Sequence, residues 1–243
     1  MADGKPEIFS SVQGEGVSAG VPSTFVRLAT CNLRCAWCDT AYTWDWSRFD
    51  RVEQTMELPV EAVAEDVVAR APRNVVITGG EPLIQRRQLF LLISRLKAAG
   101  LRIEIETNGT IAPGELGTSL PHSHRDISGN PGSDTAPGVK ARRGRVPEIV
   151  PSGPHPLVDQ WNVSPKLRHA GNDGLDRLPE AVLRDFAARP GAFFKFVVEQ
   201  ESDLAEVEAW LRSRRQPGSS DLVKKAPVPD FRRRKALAGT GGS

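Results

Sequence analysis

Three cysteines lie within eight consecutive residues, in the pattern Cys31-x-x-x-Cys35-x-x-Cys38. In a loop, this spacing allows the three sulfurs to point toward a common centre. A structural zinc site normally takes four ligands, and the four histidines of the chain all lie far downstream. Three thiolates are better suited to a four-iron, four-sulfur cluster in which one iron stays open to an exogenous ligand. A zinc site and three unrelated core cysteines are the alternatives.

The elements around this loop alternate between strands and helices. Apolar periodicity predicts strands over 23–29, 74–78, 101–106, 157–163 and 192–198, and helices over 59–70, 83–99, 179–188 and 203–213. Asp203 and Glu206 have the spacing of a capping pair at the start of the last helix. Alternation of this kind predicts an α/β fold with parallel strands joined by right-handed crossovers.

Polar or glycine-rich segments follow the predicted strands. They are the cysteine loop and residues 78–81, 106–108 and 164–166. Ligands bind at the carboxyl ends of the strands in parallel α/β folds, so we expect these segments to converge on one face. Glu106 shares the polar side of its strand with Arg102 and Glu104, and we expect it to line a wet interior.

Two segments do not fit the alternation. Residues 117–158 contain seven prolines and six glycines in 42 residues, a composition that cannot bury a core. We therefore expect one domain over 1–213 with a flexible insertion at about 117–157, followed by a basic, disordered tail over 214–243. Solvated charge is the preferred interpretation of the tail, and nucleic-acid contact through residues 232–235 is the alternative.

Composition and cysteine content indicate the cellular compartment of the protein. The 243 residues are 39% hydrophobic and 26% charged, and no apolar run reaches the 18 residues that a membrane-spanning helix needs. The N-terminus lacks the basic start and apolar stretch of a secretory signal. Three closely spaced cysteines do not form a disulfide framework and indicate a reducing compartment. A cytoplasmic protein without membrane association is expected.

The cysteine loop after a strand, with Trp37 before the last cysteine, resembles that of the radical S-adenosylmethionine (SAM) superfamily. The segment 78–82, Thr-Gly-Gly-Glu-Pro, is similar to the superfamily's GGE motif, which contacts the amino group of the methionine moiety. The resemblance implies a partial (β/α)6-type barrel and a four-iron, four-sulfur cluster on Cys31, Cys35 and Cys38. SAM would chelate the open iron through its amino and carboxyl groups.

Further motifs resemble those of the 7-carboxy-7-deazaguanine synthase family, and the similarity covers roughly residues 5–110 and 158–212. The motifs lie at 7–16, 25–27, 38–40, 105–109 and 163–166. The family resemblance implies a carbon–nitrogen lyase of queuosine biosynthesis that converts 6-carboxy-5,6,7,8-tetrahydropterin to 7-carboxy-7-deazaguanine and releases ammonia. It also implies a magnesium ion, a homodimer, and a flavodoxin-type or other electron donor.

The resemblance also assigns roles to individual residues. Thr40 would bind Mg²⁺, and Arg27 would hold the substrate carboxylate, which a guanidinium matches as a bidentate fork. The other substrate-binding residues would be Val12, Gln13, Gly14 and Thr78. The SAM-binding residues would be Trp37, Cys38, Asp39, Gly80, Ser164, Pro165 and Lys166.

The chain departs from the family pattern in its long insertion and in its C-terminus, which lacks the sixth strand and the proline-containing segment that help to close the substrate pocket. Another short radical SAM enzyme, such as a glycyl-radical activase, is the alternative enzyme. An iron–sulfur electron carrier is the alternative from another class, although a carrier normally closes its cluster with four cysteines.

Overall fold

A computed structural model describes residues 5–120 and 155–212. The strands are β1 (Ile8–Val12), β2 (Pro22–Leu28), β3 (Asn74–Gly79), β4 (Arg102–Thr107), β5 (Ser119–Leu120), β6 (His155–Pro156), β7 (Gln160–Val163) and β8 (Ala192–Phe194). Six of them form one sheet in the order β1-β2-β3-β4-β7-β8. From β2 to β8 the neighbours are parallel, which confirms the predicted α/β fold class.

The antiparallel edge strand β1 was not expected from the sequence. It pairs with β2 from Ile8 opposite Val26 to Val12 opposite Pro22, and the rings of Phe9 and Phe25 stack with their centroids 5.2 Å apart. The segment Ile-Phe-Ser-Ser-Val has two adjacent apolar residues followed by two serines, so no clear alternation marks it as a strand. The sheet therefore consists of five parallel strands, β2, β3, β4, β7 and β8, and one antiparallel edge strand, β1.

The helices are α1 (Arg51–Gln54), α2 (Val60–Ala69), α3 (Arg86–Ala98), α4 (Glu180–Ala187) and α5 (Glu201–Arg212). The predicted capping pair of α5 is wrong in detail, because the helix begins two residues before Asp203. The Asp203 carboxylate instead reaches back and accepts hydrogen bonds from the backbone N–H groups of Glu199 and Gln200, at 2.9 and 3.0 Å. Among the described residues no helix is long and apolar enough to cross a membrane.

The two faces of the sheet differ sharply in polarity. The face covered by the helices is apolar and fully buried, with Val75, Ile77, Ile103 and Ile105 packed against side chains of α2 and α3. The opposite face carries buried polar side chains, including Ser23, Asn74, Glu104, Gln160 and Asn162. Alternation along the strands thus separates a hydrophobic core from a polar interior.

The predicted insertion has ordered ends. Strands β5 and β6 pair antiparallel, with Ser119 opposite Pro156 and Leu120 opposite His155. Leu157 and Val158, which follow this pair, are buried in the core. The rest of the predicted insertion and the predicted basic tail, with the possible nucleic-acid contact at 232–235, lie outside the described residues.

Candidate active site

The cysteine loop starts directly after β2 and is held by the loop after β3. Gly80 donates its backbone N–H to the Leu28 carbonyl at 2.9 Å, and Glu81 donates to the Thr30 carbonyl at 2.8 Å. A Cβ on Gly80 would overlap the carbonyl oxygen of Thr30. Only glycine therefore permits this close approach of the two backbones.

Each cysteine sulfur is half-buried and accepts a hydrogen bond from an N–H group. The donors are the Leu33 backbone to Cys31 at 3.4 Å, the Asn172 side chain to Cys35 at 3.4 Å, and the Trp44 indole to Cys38 at 3.3 Å. The Asn108 side chain is a second, longer donor to Cys31, at 3.9 Å. In the absence of metal, burial raises the pKa of Cys31 to about 11 and also raises the pKa of Cys35.

This donor set fits an iron–sulfur cluster. The loop presents three sulfurs with N–H groups already directed at them, which favours thiolate ligands. Among the described residues, no three His, Cys, Asp or Glu side chains are gathered closely enough to hold one metal ion. A four-iron, four-sulfur cluster does not require such an arrangement, because it bonds each cysteine to a different iron. Cys31, Cys35 and Cys38 are therefore the residues that would hold the cluster.

Several residues predicted to bind SAM lie beside the cysteines. The Lys166 ammonium lies 5.3 Å from the centroid of the Trp37 ring and donates to the Ser164 hydroxyl at 3.0 Å. Burial lowers the pKa of Lys166. The buried indole N–H of Trp37 has no hydrogen-bond partner within the described part of the chain, so it can donate to a ligand.

The other predicted SAM-binding residues differ in exposure. Asp39 follows the last cysteine and is exposed, whereas Pro165 is buried between Ser164 and Lys166. Gly80 lies against the start of the cysteine loop, as its backbone hydrogen bond requires.

Glu81 of the glycine-rich motif is completely buried and serves as an anchor between loops. Its carboxylate accepts hydrogen bonds from the Leu83 N–H at 3.0 Å, the Thr107 hydroxyl at 2.8 Å and the Asn108 N–H at 2.7 Å. Burial raises the pKa of this carboxyl, and the three donors act in the opposite direction. Glu81 thus fixes the loop after β4 to the loop after β3.

Glu106 organises the polar interior next to this edge. Its carboxylate accepts from the Thr78 hydroxyl at 2.7 Å and from the Gln13 side chain at 3.1 Å. The Gln13 amide also lies 3.4 Å from the buried carboxylate of Glu104. Glu106 thus lines the polar interior, as expected, and brings two of the predicted substrate-binding residues together.

Arg27 lies beside Thr78 in the pairing of β2 with β3. Its Nε forms an ion pair with Glu7 at 2.6 Å. The Tyr42 hydroxyl donates its one hydrogen to the Glu7 carboxylate and lies 2.9 and 3.0 Å from its two oxygens. The terminal nitrogens of Arg27 make no hydrogen bond within the described residues. They are the part of the fork that can bind an anion.

The remaining predicted residues are more scattered. Val12 pairs with Pro22 at the amino-terminal end of β2, away from the cysteine loop. It is exposed, as is Gly14. Among Val12, Gln13 and Gly14, only the side chain of Gln13 reaches the polar interior. Thr40 lies near the cluster ligands, with its hydroxyl 3.7 Å from the Cys38 sulfur.

Trp44 and Asn172 are contacts of the cysteines that the sequence did not reveal. Trp44 lies outside the motif Cys31–Cys38, and Asn172 lies 137 residues from Cys35 in the chain. One available signal for Asn172 was the pair Gly171-Asn172, since both residue types tolerate the left-handed backbone that they adopt here, with φ of 75° and 65°.

Comparison with known proteins places the chain in a class and then in a family. The Radical SAM superfamily model matches residues 26–116, as the cysteine loop and the parallel sheet suggest. The chain is 37% identical over 206 residues to the 7-carboxy-7-deazaguanine synthase of Pyrobaculum aerophilum, covering 84% of this chain and 71% of that one. The identity to the Hyperthermus butylicus enzyme is 42% over 210 residues, covering 84% and 69%.

A solved structure agrees with these relatives. The crystal structure of QueE from Escherichia coli superposes with a TM-score of 0.51 at 26% identity, covering 87% of this chain and 77% of that chain. The chain belongs to the 7-carboxy-7-deazaguanine synthase family, and it is a radical SAM enzyme of the lyase type with the partial barrel of that superfamily. The cofactors of this class are a four-iron, four-sulfur cluster and SAM.

Proposed function

We propose that the protein converts 6-carboxy-5,6,7,8-tetrahydropterin to 7-carboxy-7-deazaguanine with release of ammonia, in 7-deazapurine biosynthesis. The observation that carries this proposal is the position of the cysteine loop beside a polar interior. Arg27, Thr78, Gln13 and Glu106 lie together on that interior face. A planar, polar heterocycle with a carboxylate matches such a set of groups.

Arg27 would bind the substrate carboxylate through its terminal nitrogens. Glu7 fixes the Nε side of the guanidinium, and Tyr42 fixes Glu7. Burial raises the pKa of Tyr42 to about 12, so its hydroxyl keeps the proton that it donates to Glu7 at neutral pH. This arrangement would orient the guanidinium before substrate arrives.

Gln13 and Thr78 would contact the ring system, with Val12 and Gly14 contributing backbone groups. Glu106 positions the Gln13 amide and the Thr78 hydroxyl because it accepts a hydrogen bond from each. The Gln13 amide and the Thr78 hydroxyl can each act as donor and as acceptor, so they can pair with the alternating donors and acceptors of a pterin ring. Shape and polarity together would select a pterin over a purely apolar ring.

Cys31, Cys35 and Cys38 would hold the cluster, which would supply the electron for reductive cleavage of SAM and so the radical chemistry at the substrate carbon that bears the carboxylate. Trp37, Asp39, Gly80 and the segment 164–166 would hold SAM against the cysteine loop. The half-buried Trp37 and the buried Pro165 would exclude water from it. Thr40 would bind Mg²⁺ through its hydroxyl oxygen, since this ion takes hard oxygen ligands.

Three features of the proposal concern the protein in the cell. We place it in the cytoplasm because its three free cysteines suit a reducing compartment. A flavodoxin-type protein or another low-potential donor would reduce the cluster. A homodimer is the proposed assembly.

Anaerobic reconstitution with iron and sulfide, followed by incubation with the carboxypterin, SAM and reductant, tests the proposal. We expect 7-carboxy-7-deazaguanine by mass spectrometry and one ammonia per product. The Cys35→Ala variant is the matched control and should form neither. A wild-type enzyme that holds its cluster and cleaves SAM but leaves the carboxypterin unchanged would refute the assigned substrate.

A further inference from the structure

Two side chains outside the family motifs donate hydrogen bonds to cysteine sulfurs. The Trp44 indole N–H points at Cys38 over 3.3 Å, and the Asn172 amide points at Cys35 over 3.4 Å. Both distances are within the range for hydrogen bonds to sulfur. Neither donor is a metal ligand, and neither is needed to explain how SAM or the substrate binds.

Asn172 braces the cysteine loop from the turn that follows the segment 164–166. Its side-chain oxygen accepts from the Arg34 backbone N–H at 2.5 Å, while the same amide donates to Cys35. One residue along, the Ala36 N–H donates to the Ala170 carbonyl at 3.0 Å. The backbone of Asn172 is left-handed, with φ of 65°.

Trp44 is positioned independently of Asn172. The backbone of its neighbour Thr43 accepts a hydrogen bond from Thr30 at 2.7 Å, and Trp44 itself donates to the Ala41 carbonyl at 3.1 Å. These bonds tie the segment to the start of the cysteine loop. The half-buried indole therefore reaches Cys38 from a backbone that is already fixed.

We propose that Trp44 and Asn172 are positioning residues that raise the reduction potential of the cluster. The inference rests on the proposed function, since it requires a cluster on Cys31, Cys35 and Cys38. Reduction adds negative charge that spreads onto the sulfurs, and an N–H donor stabilises the more negative state more strongly. Loss of one donor should shift the ratio of reduced to oxidised cluster about tenfold at a fixed potential, which is ~59 mV for one electron.

A redox titration monitored by electron paramagnetic resonance tests the role of Trp44. Trp44→Phe keeps the aromatic ring and removes the N–H, so its midpoint potential should fall by about that amount. Trp46→Phe is the matched control, because it makes the same substitution two residues away, at a tryptophan that has no sulfur contact among the described residues. The midpoint potential of the cluster in this variant should equal that of wild type. Equal potentials in Trp44→Phe and wild type would overturn the proposal for Trp44.

Two further variants guard against a fold defect. A benzothiophene analogue of tryptophan at position 44 replaces the N–H by sulfur with almost no change of shape, and its potential should match that of Trp44→Phe. Asn172→Gly retains the left-handed turn and should lower the potential independently of Trp44. Wild-type potentials in both variants, each with four irons bound, would overturn the inference.

The proposed function and this inference fail in different ways. A wild-type protein that assembles no cluster contradicts the proposed function. Clusters that assemble in wild type and variants with identical potentials contradict only the role of the two donors. A lowered potential in both variants, with unchanged iron content, supports that role.

Discussion

The buried carboxylate of Glu81 provides a quantitative test of how the site is held together. Two carboxylate oxygens accept three donors, from Leu83, Thr107 and Asn108. Glu81→Gln keeps one oxygen and presents an amide NH₂ group to at least one backbone N–H. A buried donor left unsatisfied costs about 1–3 kcal/mol, so we expect a loss of that size in the free energy of unfolding. Glu81→Ala leaves both backbone donors without an acceptor and should cost about 2–6 kcal/mol.

Urea unfolding of the protein before cluster assembly, followed by circular dichroism, measures both losses. Glu65→Gln is the control, because Glu65 is exposed on α2 and surface substitutions usually stay within about 0.5 kcal/mol. Both Glu81 variants should also bind less iron, since the loop after β3 supports the cysteine loop. A Glu81→Gln protein as stable as Glu65→Gln would refute the anchoring role of the carboxylate.

Three other predictions concern the loop and the substrate. Arg27→Ala should lower kcat/KM for the carboxypterin about 10- to 150-fold, equivalent to roughly 1.5–3 kcal/mol of charge-assisted hydrogen bonding, while SAM cleavage without substrate stays near wild type; an unchanged kcat/KM contradicts the role. Gly80→Ala should bind little iron on reconstitution, because its Cβ would displace the Thr30 carbonyl; full cluster content would argue against the close approach. The raised pKa of about 11 for Cys31 predicts that alkylation of the metal-free Cys35→Ala/Cys38→Ala variant, followed by mass spectrometry, rises about tenfold per pH unit from 8 to 10; a plateau at pH 9 would contradict it.

The apolar periodicity of the sequence predicted the alternating strands and helices of the parallel sheet. A strand of the parallel sheet lies within or close to each predicted range, because apolar runs bounded by glycine or polar turns are characteristic of strands buried under helices. The last two strands are shorter than predicted, since β7 begins at Gln160 and β8 ends at Phe194. The helix-covered face and the polar face follow from the same alternation, as the residues of β4 illustrate. The cysteine spacing indicated the cluster loop because three thiolates suit a cluster with one open iron, whereas a structural zinc site normally takes four ligands.

The parts that sequence reasoning missed depend on distant contacts. Edge strand β1 is defined by its pairing with β2 and not by its own pattern. The burial of Glu81 requires Thr107 and Asn108, which follow a different strand. Asn172 meets Cys35 only because the chain returns to the same edge of the sheet after β7. Local periodicity carries no information about such meetings.

The fate of a deuterium at C6 of the carboxypterin tests the proposed radical chemistry most directly. The 5′-deoxyadenosyl radical should take this deuterium into the methyl group of 5′-deoxyadenosine, which then returns any one of its three hydrogens. Reconstituted enzyme supplied with the C6-deuterated substrate should therefore leave deuterium in part of the 5′-deoxyadenosine and of the recovered SAM, alongside 7-carboxy-7-deazaguanine. Mass spectrometry of the three compounds measures the transfer. Formation of 7-carboxy-7-deazaguanine without deuterium in SAM or 5′-deoxyadenosine would contradict hydrogen abstraction from the carbon that bears the carboxylate.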